Sequence, residues 1–319
     1  MEVVYRIIFF YSEGYNYRNR HVCGEFRDMI PTVDPLCYLD SLCKDGRVPE
    51  RVKSTDKIAK KAVLFGYVNI LAWCDKIHVP INICSLAAKG HLTVLQWARA
   101  NGFQWDKWTC THAAAQDRLE ILQWARDNGC PWDKEVCSGA AKNGHLEILQ
   151  WARANGCPWN KETCAYAALA GNLEILQWVR ANGCPWDEKT CVWAADNGHL
   201  EILKWARANG CPWNEETCAG AAFGGHLKVL KWARSQGCPW DEKTCSYAAY
   251  CGNLEILQWA RSQGCPWNEY TCLNAAMGGH LEILKWSVAN GCSWCKTGCV
   301  GVAKIYKHQH VIDWIESYP

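Results

Sequence analysis

Residues 160–186 read NKETCAYAALAGNLEILQWVRANGCPW, and the same phrase returns along most of the 319-residue chain. Trp97, Trp124, Trp151, Trp178, Trp205, Trp232, Trp259 and Trp286 stand 27 residues apart. Trp73 precedes them by a shortened unit of 24, and Trp314 follows by a lengthened one of 28. Self-similarity at a fixed period is the signature of stacked repeats. About ten such units cover roughly residues 57–319.

Within a unit the pattern predicts two short helices. Asn160, Asp187, Asn214, Asp241 and Asn268 stand just before a Glu/Lys-rich first turn, where a side-chain oxygen can cap free backbone N–H groups. The first helix then carries Cys-x-x-Ala-Ala. At 100° per residue Cys164, Ala167 and Ala168 share one face, within about 100° of arc. Their small volumes let a neighbouring helix approach closely. Gly171, Gly198 and Gly225 end this helix. The second helix, LEILKWAR at 200–207, stops at Asn209-Gly210. Only Glu201 and Lys204 form a wet strip on it, as expected of a helix held between neighbours.

No unit buries such faces alone, so stacked copies must share one core. The sequence predicts that the second-helix tryptophans are buried in it. On that reading Trp205→Ala costs roughly 3–5 kcal/mol. The last unit should be more polar on its outer side, and Lys304, Lys307, His308 and Gln309 suit that position.

The composition narrows the function. Nearly half the residues are apolar and about a fifth are charged, with a formal charge of +2. That balance excludes a disordered chain and offers no electrostatic reason to bind nucleic acid or an anionic membrane. The start, MEVVYRIIFFYSEG, has no small-residue cleavage site, and its apolar run is far below the roughly 20 residues of a membrane span. The 22 cysteines are therefore expected to be reduced thiols in an intracellular protein, in cytoplasm or nucleus.

The run AAKNGHLEIL at 140–149 returns as AAFGGHLKVL at 221–230 and AAMGGHLEIL at 275–284. It resembles the central motif of ankyrin repeats, over about four fifths of the chain. The usual ankyrin unit has about 33 residues, and here about six are missing where ankyrin units project a β-hairpin finger. The Thr-Pro-Leu-His that opens the ankyrin first helix is replaced by sequences such as Glu162-Thr163-Cys164-Ala165. The resemblance implies an all-α, ankyrin-type solenoid of helix-turn-helix repeats whose fingers have shrunk to a Cys-Pro-Trp turn. The phrase N-G-C-P-W-D/N looks like repeat proteins of large DNA viruses of protists, and of some algae and oomycetes; a viral source would place the protein in a host cell.

Residues 1–50 do not repeat, and the solenoid is expected over 51–319. RHVCGEFRDM at 20–29 resembles the closing helix of an F-box, which docks a Skp-type ubiquitin-ligase adaptor. Val22, Cys23 and Phe26 would then face the adaptor. The opening Leu-Pro segment of an F-box is absent, and the alternative is that these residues cap the first repeat.

Chemistry is poorly served by a periodic chain. Paired cysteines such as Cys130/Cys137 and Cys157/Cys164 lie seven apart, which is the wrong spacing for structural zinc. Phe103 replaces the first cysteine in one unit, as a small buried hydrophobe allows and a ligand does not. The recurrent histidine, His145, gives way to Arg118, Asn172 and Asn253, so it is read as a hydrogen-bonding corner between units. No phosphate loop and no single nucleophile–base pair stands out. No cofactor, metal or catalytic residue is assigned. Trp132, Trp159, Trp186, Trp213, Trp240 and Trp267 could stack single-stranded bases, but no basic residues track alongside, and packing between turns is the preferred reading.

A protein partner is the remaining expectation, bound by a monomer. On the first helix the positions two, five and six after the cysteine vary freely. Relative to Cys164, Tyr166, Leu169 and Ala170 lie at about 200°, 140° and 240°, opposite the alanine pair. Ankyrin family members bind partners through this same helix surface. The candidate residues are Lys142, Asn143, Tyr166, Leu169, Trp193, Asp196, Asn197, Phe223, Tyr247, Tyr250 and Met277. Tyr166, Trp193, Phe223, Tyr247 and Tyr250 are expected to form an exposed aromatic strip of the kind that marks an interface.

Overall fold

Two short helices form in every repeat of the computed structural model, which describes residues 35–48 and 52–319. Contacts divide the chain into two compact units, Met1–Trp132 and Asp133–Pro319. The first holds the helix pairs Asp56–Phe65 with Val68–Trp73, Ile83–Ala87 with Leu92–Ala100, and Thr109–Ala115 with Leu119–Asp127. The second holds seven pairs, from Lys134–Asn143 with Leu146–Ala154 to Lys296–Ile305 with Gln309–Ser317. There is no strand among the described residues. The architecture is the all-helical repeat stack that the period implies, and a Cys-Pro-Trp turn stands where a finger would be.

In the first unit a helix that the sequence pattern does not announce, Pro35–Lys44, packs on Val68–Trp73. Its Asp40 accepts hydrogen bonds from the Ile70 N–H at 3.0 Å and from Asn69 Nδ2 at 2.8 Å. That carboxylate satisfies the start of a helix that lacks a side-chain cap of its own. Val22, Cys23 and Phe26 lie outside the described residues.

In the second unit the expected caps are present. Asn160, Asp187, Asp241 and Asn268 hold extended backbone and accept from the N–H two residues on, at 3.0–3.2 Å. Asn214 takes the same conformation without making the bond. The second helices close on themselves: Cys211 N–H bonds the Ala206 carbonyl at 2.9 Å, and Asn209 Nδ2 bonds that of Trp205 at 2.8 Å. Gly198, between helices, sits at φ +76°, and a Cβ there would lie 2.7 Å from the His226 ring. Both the left-handed backbone and the crowding require glycine.

First helices pack directly on first helices through their small faces. Cys191, Ala194 and Ala195 are wholly buried, as are Leu203 and Ala206 of the paired second helix. Here the tryptophan expectation needs correction. Trp205 and its equivalents are half-buried, and the fully buried large side chains are leucines and isoleucines such as Leu203 and Leu230. From Trp178 to Trp286 each indole stands at the edge of the core against the Cys-Pro-Trp indole of the preceding turn. Trp186 meets Trp205 edge-on at 5.9 Å, and Arg180 lies over Trp186 at 4.1 Å. The same arrangement recurs at Trp213–Trp232 and Trp240–Trp259. The turn tryptophans thus pack between turns, but the expectation that no basic residue tracks alongside them needs correction. An arginine on the preceding second helix, four residues before the turn cysteine, lies over one face of each.

The end of the chain also departs from expectation. His308 is the corner histidine of its repeat, donating to the Met277 carbonyl at 3.1 Å, rather than part of a polar cap. Ile305 and Tyr306 are exposed by 74% and 51%, beside the expected Lys304 and Lys307.

Candidate functional site: an aromatic cleft on the first helices

Adjacent first helices are held in register by a hydrogen bond that the histidine position provides. His199 Nε2 donates to the Leu169 carbonyl and His280 Nε2 to that of Tyr250, both at 3.1 Å. Where asparagine replaces histidine the donor survives, with Asn253 Nδ2 on the Ala222 carbonyl at 3.2 Å. In the first unit Arg118 Nε serves the Lys89 carbonyl at 3.3 Å. Close approach also needs small residues at the helix ends. A Cβ on Gly224 would lie 1.9 Å from the Asp196 carbonyl oxygen, so that position admits glycine alone at this spacing.

This close packing changes the accessibility expected of the variable positions. The position two after the cysteine is half-buried, because it faces sideways to the neighbouring first helix. Tyr166, Trp193 and Tyr247 are half-buried there, and Gly220 is buried. At the fifth position Lys142, Phe223 and Tyr250 are exposed, whereas Leu169, Asp196 and Met277 are half-buried; at the sixth, Asn143 and Asn197 are exposed. The rings form two clusters rather than one strip. In one, Tyr166 packs on Trp193 at 5.1 Å and Lys142 Nζ lies 5.6 Å over the Tyr166 ring. In the other, Phe223 meets Tyr247 edge-on at 5.7 Å and stacks on Tyr250 at 6.4 Å.

Between the clusters opens a cleft of about 440 Å³. Trp193 and Asp196 line it from one helix, Gly220, Phe223 and Glu216 from the next, and Tyr247, Tyr250, Asn274 and Met277 from the two that follow. It brings together six of the expected residues and leaves Lys142, Asn143, Tyr166, Leu169 and Asn197 outside its lining. Gly220 opens it: where the repeats on either side carry Trp193 and Tyr247, this one has no side chain. That glycine between Trp193 and Tyr247 was visible in the sequence, but its consequence depended on knowing which neighbour faces it. Glu216 had no sequence signal beyond an acidic first turn.

The electrostatics are uneven. Glu216 pairs with Lys243 at the rim. Among the described residues no side chain pairs with the Asp196 carboxylate or donates a hydrogen bond to it. Burial raises its pKa above the usual carboxylate value, opposed by nearby His226. Cys251, also nearby, is raised by burial and by the Asp196 charge.

The buried cysteines are free thiols. Cys211 Sγ donates to the Asp187 carbonyl at 3.4 Å, and Cys184 Sγ to that of Asn160 at 3.3 Å. The hydrogen bond to Cys184, together with burial, pushes the Cys164 thiol far above its usual range. These thiols work as small core residues that also satisfy loop carbonyls. Among the described residues no group of three His, Cys, Asp or Glu side chains is placed to hold a metal. None of the described helices is long and apolar enough to cross a membrane.

No family model matches the chain, and no curated protein matches it. Among solved structures it is similar to the ankyrin repeat domain of human ASB11, at 17% identity over 49% of this chain and 84% of that one, with a TM-score of 0.41. The helix-pair architecture rests on the packing described above rather than on this likeness.

Proposed function

We propose that this protein is an interaction scaffold that binds a partner protein along the first helices between Lys142 and Met277, as an ankyrin-like repeat protein. The observation that carries the reading is the pair Phe223 and Tyr250. They are 45% and 38% exposed, stacked on one another at the mouth of a cleft, on helices fixed by corner hydrogen bonds. Large exposed rings at the mouth of a cleft suit a binding hot spot. Periodic duplication of most Cys and His residues favours binding over catalysis.

The test is affinity capture from the native cell with three proteins: the wild type, Phe223→Arg/Tyr250→Glu, and a control changed on the second helices, Glu201→Lys/Glu282→Lys. A protein captured by the wild type and the control but lost with the first-helix variant supports the reading, provided thermal unfolding is almost unchanged. Capture indifferent to Phe223 and Tyr250 overturns it.

The F-box-like stretch at 20–29 supports a second reading, a substrate receptor that recruits a Skp-type adaptor through Val22, Cys23 and Phe26. A pulldown of the full chain with such an adaptor, repeated with Phe26→Ala, tests it. No binding leaves the plain scaffold.

A further inference from the structure

Residues 24 apart on successive first helices face each other across the repeat boundary. At one boundary a cation meets a ring, with Lys142 Nζ 5.6 Å over Tyr166. At another two rings meet, Phe223 and Tyr247 at 5.7 Å. Asp196 and Gly220 make the equivalent pair, and a Cβ built on Gly220 would lie 3.5 Å from the Asp196 Cβ. Here the ring is missing, and a carboxylate stands over the space it would fill. That space is walled by Trp193, Phe223, Tyr247 and Tyr250.

We propose that this cleft is the anchor pocket for an arginine side chain of the partner. The inference deepens the scaffold reading and rests on it. Three features select the occupant. The Asp196 carboxylate has no partner among the described residues, so both oxygens are free to accept a guanidinium fork. Aromatic faces attract a cation through their quadrupole, and the flat, weakly hydrated guanidinium stacks on them better than a compact ammonium does. The volume, about 440 Å³, leaves room for a side chain of that length in an open cleft. A purely apolar segment would leave Asp196 buried and unpaired, which is costly. An acidic one would meet Asp196 and Glu216.

Met277 lines the cleft and is one of three methionines in the chain, which makes its methyl group a local reporter. Protein labelled with ¹³C at the methionine methyls is titrated with acetyl-Gly-Arg-Gly-amide and with its lysine and citrulline counterparts. Citrulline keeps the shape of arginine and loses the charge. The arginine peptide is expected to shift the Met277 methyl signal saturably, with the citrulline peptide weaker by about tenfold or more and the lysine peptide intermediate. Asp196→Asn and Phe223→Ala should each weaken the arginine peptide by about tenfold while the native fold is retained. Equal shifts from arginine and citrulline, or no shift from any peptide, overturn the pocket. Equal shifts from lysine and arginine overturn the choice of arginine. If the pocket fails while Phe223→Arg/Tyr250→Glu still loses the captured partner, the scaffold reading survives it.

Discussion

His280 Nε2 donates to the carbonyl oxygen of Tyr250, thirty residues earlier, at 3.1 Å. The bond joins the start of one second helix to the end of the preceding repeat's first helix, and so fixes the wall of the cleft. His280→Ala leaves that carbonyl without its donor and should cost about 1 kcal/mol. His280→Asn should recover most of the loss, because asparagine already does this work at Asn253. Chemical denaturation of the two variants compares them. Equal losses would mean that the imidazole acts by its bulk.

The half-exposed tryptophans change the expected order of stability effects. Leu203 is wholly buried, so Leu203→Ala should cost about 2–5 kcal/mol. Trp205→Ala, at the core edge, should cost about 2 kcal/mol, below the range for a buried ring. Trp186 and Trp205 touch edge-on at 5.9 Å. Their double alanine variant should therefore fall short of the summed single losses by about 0.5–1.5 kcal/mol. Strict additivity in a denaturation cycle would show that the ring contact contributes nothing.

Asp196 should make the fold less stable at neutral pH. Burial holds its native pKa above the unfolded value. Between those two values the native state keeps a proton that the unfolded state has lost, so stability falls as pH rises through that window. The deficit is complete above it. Asp196→Asn should thus raise Tm at pH 7, and the gain should shrink as pH is lowered into the ordinary carboxylate range. A gain that does not change with pH, or a loss at pH 7, contradicts this account of the residue. A carboxylate kept at a stability cost fits a binding role.

Thiol reactivity should separate sharply. Cys295 is exposed at the start of helix Lys296–Ile305, where the Thr297 hydroxyl and the Gly298 N–H lower its pKa. The inner cysteines are buried, and Cys191, like Cys164, is held far above the usual range by its hydrogen bond to a second thiol and by burial. Limited iodoacetamide treatment followed by peptide mapping should label Cys295 well ahead of Cys164, Cys191, Cys218 and Cys245 in the native protein. Comparable labelling of an inner cysteine would mean that the repeats open readily.

The sequence by itself determined the period, the helix pairs, the caps at Asn160 and Asp187, the glycine stops and the corner role of the histidine position. These are set within one repeat or by identity between repeats, so spacing reveals them. It also marked Phe223 and Tyr250, since variable positions opposite the alanine face must point away from the packed side. Only the tertiary structure decided how far each side chain is covered. The alanine and glycine faces bring first helices so close that the variable position two after the cysteine turns into the boundary, burying Tyr166 and Tyr247 in part. The tryptophans meet one another at the edge of the core instead of inside it. The cleft belongs to the same class of fact: it exists because Gly220 faces Asp196 across a boundary, and a pairing 24 residues apart is fixed by packing distance rather than by helical period.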